Sequence, residues 1–329
     1  RSLAVVAGLE AMDQFGAVFD HGAVVGVGQR VRAAWDGLPA EERVQHAMST
    51  GLVRTARSLT ALGREPEAIA TLKLARGLAR TAAERAAAGR EASWLPYRHG
   101  DFGAALRILD TTLQTLADEE PHARATVEQQ IGWIQLRRGD IDAAAAILER
   151  CLATFETAGD DEWTLQMLDK LGVARSAAGR QEEAIGLLRR SIDLARARGD
   201  ARAELPAAMH IVTAYGESGL AGPARMMLQR ALELARLVGE PYLESVACGV
   251  GARMEATDGR TDEAIALRRR ELDLLAEIGG HPGHQAMALT HVATLLAGLG
   301  RPDHAAEAAA DALRYAATAE PGTREQVLD

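Results

Sequence analysis

Glycine returns along this chain at a nearly constant interval. Gly63, Gly100, Gly139, Gly179, Gly219, Gly259 and Gly300 are separated by 37, 39, 40, 40, 40 and 41 residues. Halfway between them runs a second series, Gly159, Gly199, Gly239 and the pair Gly279-Gly280. A period of this length is one supersecondary unit, and the halfway glycines divide it into two arms of about 20 residues. The arms read as helices. In the segment from Ala184 to Ala195, Ile185, Leu188, Ile192 and Ala195 fall on one face at helical spacing, and the segment from Ile265 to Ile278 behaves the same way. A glycine after each periodic run suits a helix end that needs positive φ. Pro66, Pro223 and Pro302 fall in the first turn of a second arm, where the missing N–H is harmless. No strand pattern is visible.

One helix pair cannot bury its apolar face alone, so the units must stack. The expected fold is all-α, a right-handed superhelical solenoid of antiparallel helix pairs with a concave and a convex surface. Ala144, Ala184, Ala224, Ala264 and Ala305 recur at one phase of the second arm, where small side chains let two arms approach closely. Apolar residues make up 47% of the 329, but aromatics only 4%, so the core is expected from thin helix contacts rather than bulky anchors.

These units resemble tetratricopeptide repeats. The family's Leu-Gly pair in the first arm matches Ile131-Gly132 and Leu171-Gly172, Tyr215 is a degenerate counterpart, and the family's second-arm alanine matches the five alanines above. The resemblance spans roughly residues 45 to 317. At about 40 residues per unit the repeats are similar to the longer ones in sensor regions of bacterial transcription regulators and signalling ATPases.

The expected organisation has four parts. Residues 1–43 form a divergent helical cap, 44–118 two irregular units, 119–319 five regular units, and 320–329 a polar tail. Within the irregular part, Thr71 to Arg90 reads as one long arm. Gly26-Val27-Gly28 invites a nucleotide-loop reading, but no clear strand precedes it and no Lys-Ser/Thr follows.

A formal charge of −9 argues against a general nucleic-acid binder. The clusters Arg189, Arg190, Arg196, Arg198 and Arg268–Arg270 read as solvated faces paired with nearby carboxylates. Cys151 and Cys248 provide neither a disulfide framework nor metal spacing. No apolar run reaches the roughly 18 residues of a membrane helix, and a cytoplasmic home is the expectation. Opening on Arg1, the chain reads as a processed or excised piece.

Nothing converges on catalysis, so the chain is expected to be no enzyme and to use no cofactor. His281, His284, His291 and His304 are the densest histidine cluster, yet His281-Pro282-Gly283-His284 reads better as a polar loop than as a metal site. Asp160-Asp161-Glu162 reads as an acidic helix start. In the resembled family the first arms line a groove that binds extended peptides or helices. Carried over by phase from the Leu-Gly pair, the groove positions are Thr126, Gln129, Trp133, Gln166, Asp169, Met209, Thr213, Arg253 and Thr294. The expected partner is a peptide or protein in that groove, within a sensing or scaffolding region of a bacterial regulator. A small effector in the groove is the alternative. No direct nucleic acid or membrane partner is expected, and monomer and homodimer both remain open.

Overall fold

The computed structural model describes residues 1–17, 20–44, 46–117, 120–279 and 282–318. The polar tail at 320–329, with His281 and Gly280, lies outside them. The fold is all-α, a TPR-like stack of helix pairs, and the described residues contain no strand. Two compact units divide the chain, Arg1–Arg138 and Gly139–Asp329.

The first unit holds α1 (Ser2–Ala17), α2 (His21–Asp36), the single turn α3 (Ala40–Arg43), α4 (Met48–Ala61), α5 (Glu65–Leu78), α6 (Ala82–Arg98), α7 (Phe102–Leu113) and α8 (Pro121–Arg137). The glycine-rich start is packing rather than a loop. Gly26, Val27 and Gly28 all lie inside α2. A Cβ on Gly8 of α1 would stand 2.2 Å from Val31 of α2. One on Gly28 of α2 would stand 2.3 Å from Thr55 of α4, and one on Gly51 of α4 would stand 2.5 Å from Leu9 of α1. Each helix thus offers a hole to the next, and α1, α2 and α4 close on one another in a cycle. Val24, Val25, Val31 and Trp35 share one buried core with Leu52 and Leu59 of α4.

The expected long arm from Thr71 to Arg90 does not exist. α5 stops at Leu78, and Ala79 turns extended at φ −67°, ψ 123°. A new helix starts on Thr81, whose hydroxyl accepts from the Glu84 N–H while the Glu84 carboxylate reaches back to the Thr81 N–H. That reciprocal cap satisfies two orphan donors and restarts the chain cleanly. Sequence periodicity alone overlooked it because alanine runs straight through the break.

The second unit opens with α9 (Ile141–Ala158). Four pairs follow: α10 (Asp161–Ala177) with α11 (Gln181–Ala197), α12 (Ala201–Glu217) with α13 (Ala221–Val238), α14 (Pro241–Thr257) with α15 (Thr261–Glu277), and α16 (Pro282–Gly298) with α17 (Pro302–Thr318). Asp160 and Asp200 cap α10 and α12 by accepting from Trp163 N at 3.1 Å and Ala203 N at 2.9 Å. Every described glycine of both series has φ between 65° and 86°. Other residues resist that left-handed conformation, so each glycine stops one helix and turns the chain into the next.

The repeating alanines of the second arms lie in the core. Ala144, Ala184, Ala224 and Ala264 are fully buried. A Cβ on Gly172 of α10 would lie 2.7 Å from Leu188 and 3.5 Å from the Ala184 carbonyl of α11. Gly172→Val should therefore destabilise the second unit by about 1–3 kcal/mol through overpacking. Gly186 of α11 has open space around it, so Gly186→Ala should instead stabilise by about 0.5–1 kcal/mol. Urea unfolding of both variants checks the pair.

Arginine clamps repeat with the same period. Buried Glu204 on α12 receives Arg196 Nε at 2.8 Å from α11 and Arg230 Nη2 at 2.8 Å from α13. Glu244 on α14 takes Arg236 at 3.7 Å from α13 and Arg270 at 3.3 Å from α15. Both arginine-rich stretches thus include links between arms.

Candidate functional site

The first arms pack side by side, α4 with α6 and α8 in the first unit, and α10 with α12 and α14 in the second. The helical phase carries one face of each arm into the core and turns another toward its neighbours' exposed edge. The candidate groove residues divide accordingly.

On α8, Thr126 and Gln129 are buried. Their side chains bond locally, Thr126 Oγ1 to the Ala123 carbonyl at 2.8 Å and Gln129 Nε2 to the Thr126 carbonyl at 3.0 Å. Trp133 is half-buried, and its indole N–H donates to Tyr97 Oη on α6 at 2.9 Å. On α12, Met209 is buried in a cluster with Leu205, Leu234 and Ala247. Thr294 on α16 is exposed, with its hydroxyl on the Thr290 carbonyl.

The remaining four candidates line two separate pockets of the second unit. Gln166 and Asp169 line one of about 520 Å³ between α10 and α12, together with Lys170, Arg198 and Arg202. Thr213 and Arg253 line another of about 390 Å³ between α12 and α14, facing Glu217 and Asp258. Burial, then the charge of Arg268, lowers the Arg253 pKa, and Glu271 partly counters them.

Asp169 is further joined to His210 of α12, with Oδ1 2.7 Å from Nδ1. Burial would lower the His210 pKa, but the charge of Asp169 and this hydrogen bond outweigh it and raise the value above 6.5. A raised histidine pKa adds stability that is fully present below the unfolded value near 6.5 and lost as pH rises through the folded value. The gap in melting temperature between the wild type and Asp169→Asn should therefore widen toward mildly acidic pH, because the variant loses this contribution. A pH dependence identical in the variant would contradict the assignment.

In the first unit the structure assembles a set the repeat phase missed. Arg90, Trp94 and Arg98 lie at i, i+4 and i+8 on α6, and with Arg57 of α4 and Gln130 of α8 they line a pocket of about 430 Å³. Their spacing was the available signal. The long-arm reading hid it by ending a helix at Arg90. Burial, and then Arg57, push the Arg90 pKa down to about 10, with Glu91 acting against them.

A cavity of about 870 Å³ is walled by α5, α6 and α7, with Leu72, Leu95, Pro96 and Ile108 among its lining. The second arms α5 and α7 have 14 and 12 residues, against 17 or 18 for α9, α11, α13, α15 and α17.

Among the described residues no group of three or more His, Cys, Asp or Glu is placed to hold a metal ion. His284 stacks on Tyr242 at 5.8 Å, and His291 accepts from Arg268. Both cysteines are buried, and burial pushes the Cys248 thiol up to about 12. None of the helices described is long and apolar enough to cross a membrane.

The tetratricopeptide repeat family matches residues 129–157 of this chain. No curated protein matches by sequence. Among solved structures, a Rap protein complexed with competence and sporulation factor superposes with a TM-score of 0.62 at 13% identity, over 96% of this chain and 77% of that one. Aspartyl phosphate phosphatase F from Bacillus subtilis gives 0.61 at 10% identity, over 94% and 93% of the two chains. The apo form of RapI gives 0.61 at 9% identity, over 81% and 97%. At these identities the shared property is the fold.

Proposed function

We propose that this chain is a peptide-binding repeat module, the sensing or scaffolding region of a bacterial regulatory protein, and that it binds without catalysing a reaction. The observation that carries the reading is the pair of pockets along α10, α12 and α14, in which first-arm residues Asp169, Thr213 and Arg253 stand among largely apolar walls. Opposite charges at separate points orient an extended ligand, and shallow recesses between them accept its side chains. A Rap protein of the same fold has been seen in complex with competence and sporulation factor, which supports a binding role for such a scaffold.

Display selection of random peptides against the full chain tests this. Enriched peptides should bind the double variant Asp169→Lys, Arg253→Glu at least about tenfold more weakly, a loss of about 1.4 kcal/mol. No enrichment, or unchanged affinity in a folded double variant, would overturn the reading.

A second reading has one observation in its favour. The cavity between α5, α6 and α7 has the size and apolar lining of a small-molecule pocket. A small effector there should survive as a retained mass in native mass spectrometry and be lost on Ala92→Trp.

A further inference from the structure

We infer that the pocket between α4, α6 and α8 is a subsite for an acidic peptide segment, taking a carboxylate among its arginines and the neighbouring apolar side chain on the Trp94 ring. This deepens the peptide-binding reading and rests on it.

The charge balance of the pocket favours an anionic ligand. The pocket lining holds three guanidiniums, from Arg57, Arg90 and Arg98, against the one carboxylate of Glu91. That carboxylate is already engaged, since its Oε2 accepts from Arg57 Nη2 at 2.7 Å and from Nε at 3.1 Å. The excess is cationic in a chain whose net charge is −9, so it is a local feature that general composition does not explain. Guanidinium forks match a carboxylate in two parallel hydrogen bonds, and a recess strengthens that match relative to open water.

An aromatic platform lies among the cations. Trp94 leaves 42% of its surface exposed, an unusual state for the bulkiest side chain. Its ring is nevertheless held in place. It stacks on Tyr97 at 5.0 Å with the planes 23° apart, and the Tyr97 hydroxyl is anchored by the Trp133 indole N–H. Gln130 is fixed from the other side, with Nε2 donating to Ser93 Oγ at 2.8 Å. A preorganised ring loses little entropy on binding, and tryptophan and arginine dominate binding hot spots.

Size decides between ligands of one chemistry. A volume of about 430 Å³ beside an indole face exceeds what an inorganic anion fills, and it fits a carboxylate with one adjoining side chain. The cations form one pocket rather than a stripe along the helices, which disfavours a nucleic-acid backbone.

The test is fluorescence anisotropy of the full chain with labelled Gly-Glu-Glu-Leu-Gly amide, compared with its Lys-Lys-Leu and Glu-Glu-Gly counterparts. The acidic leucine peptide should bind, the lysine peptide should not, and the glycine peptide should bind more weakly. Arg98 is exposed, so Arg98→Glu keeps the fold and should weaken the acidic leucine peptide by about tenfold or more. Arg98→Lys should lose less, and Trp94→Ala should bring the leucine and glycine peptides to equal affinity. The proposal falls if the acidic peptide fails to bind, if Arg98→Glu leaves its affinity unchanged, or if inorganic phosphate or a short oligothymidylate competes as well as the unlabelled peptide. Failure here is separable from failure of the broader reading, because display-selected peptides would still depend on Asp169 and Arg253.

Discussion

Phe155→Ala should destabilise the second unit by about 3–5 kcal/mol, the range for removing a large aromatic from a packed core. Phe155 is completely buried near the end of α9. Its ring stacks on Trp163 at the start of α10, with centroids 5.3 Å apart and planes 16° from parallel. In a chain with so few aromatics, neighbouring arms meet mostly through alanine and leucine, and this stack is one of the bulky contacts joining one arm to the next. Stability in a repeat array is a sum of unit and interface terms, so the loss falls on the interface between α9 and α10. Urea unfolding should show a lower midpoint. A reduced slope would add that α9 has detached from an otherwise folded stack. Phe155→Leu keeps most of the volume and should cost less than half as much. A loss below about 1 kcal/mol for Phe155→Ala would mean that the stack carries no packing energy of its own.

The parts of this fold that the sequence made legible are those set by local backbone chemistry. Positive φ needs glycine, so both glycine series announced the helix ends, and the described members all adopt that conformation. A crowded core needs a small side chain at a fixed phase, so the second-arm alanines announced positions that the structure buries. What stayed illegible depends on contacts between distant residues. Gly8, Gly28 and Gly51 make room for side chains that spacing along the chain does not reveal, because their partners, Val31, Thr55 and Leu9, lie 23 to 42 residues away. The break between α5 and α6 depends on the Thr81 cap, whose effect is hidden inside a helix-forming run. Groove positions transferred by phase fell on first arms, but phase alone could not separate Gln129 and Met209, buried in the core, from Thr213 and Arg253, which line a pocket. The arginine pocket of the first unit escaped because its members come from three arms whose register was not yet known.

The second large effect is expected at a charge cluster between α14, α15 and α16. Arg268 and Glu271 are buried together on α15, with Nη1 2.6 Å from Oε2. Arg268 Nε also donates to His291 Nδ1 on α16 at 2.8 Å, an arrangement that requires the imidazole to be neutral. Gly249 on α14 makes the room. A Cβ there would stand 3.1 and 3.2 Å from the Glu271 oxygens and 3.3 Å from Arg268 Nη1. Glu271→Ala leaves Arg268 buried and close to the second cation, Arg253, so about 3–5 kcal/mol should be lost. Replacing both partners, Arg268→Met with Glu271→Leu, removes the charges together and should cost far less than the single change. A double variant as unstable as Glu271→Ala would contradict this. Acid adds an independent check. Burial, then Arg268 and Arg253, depress the His291 pKa below 6.5. The unfolded chain therefore binds the proton first, and stability falls as pH drops below 6.5 toward the folded value. His210 contributes in the opposite sense over the same range, because Asp169 raises its pKa. The two histidines should largely mask each other in the wild type. Asp169→Asn should expose a loss of stability on acidification, His291→Gln should expose a gain, and thermal melts from pH 8 to pH 5 distinguish the two.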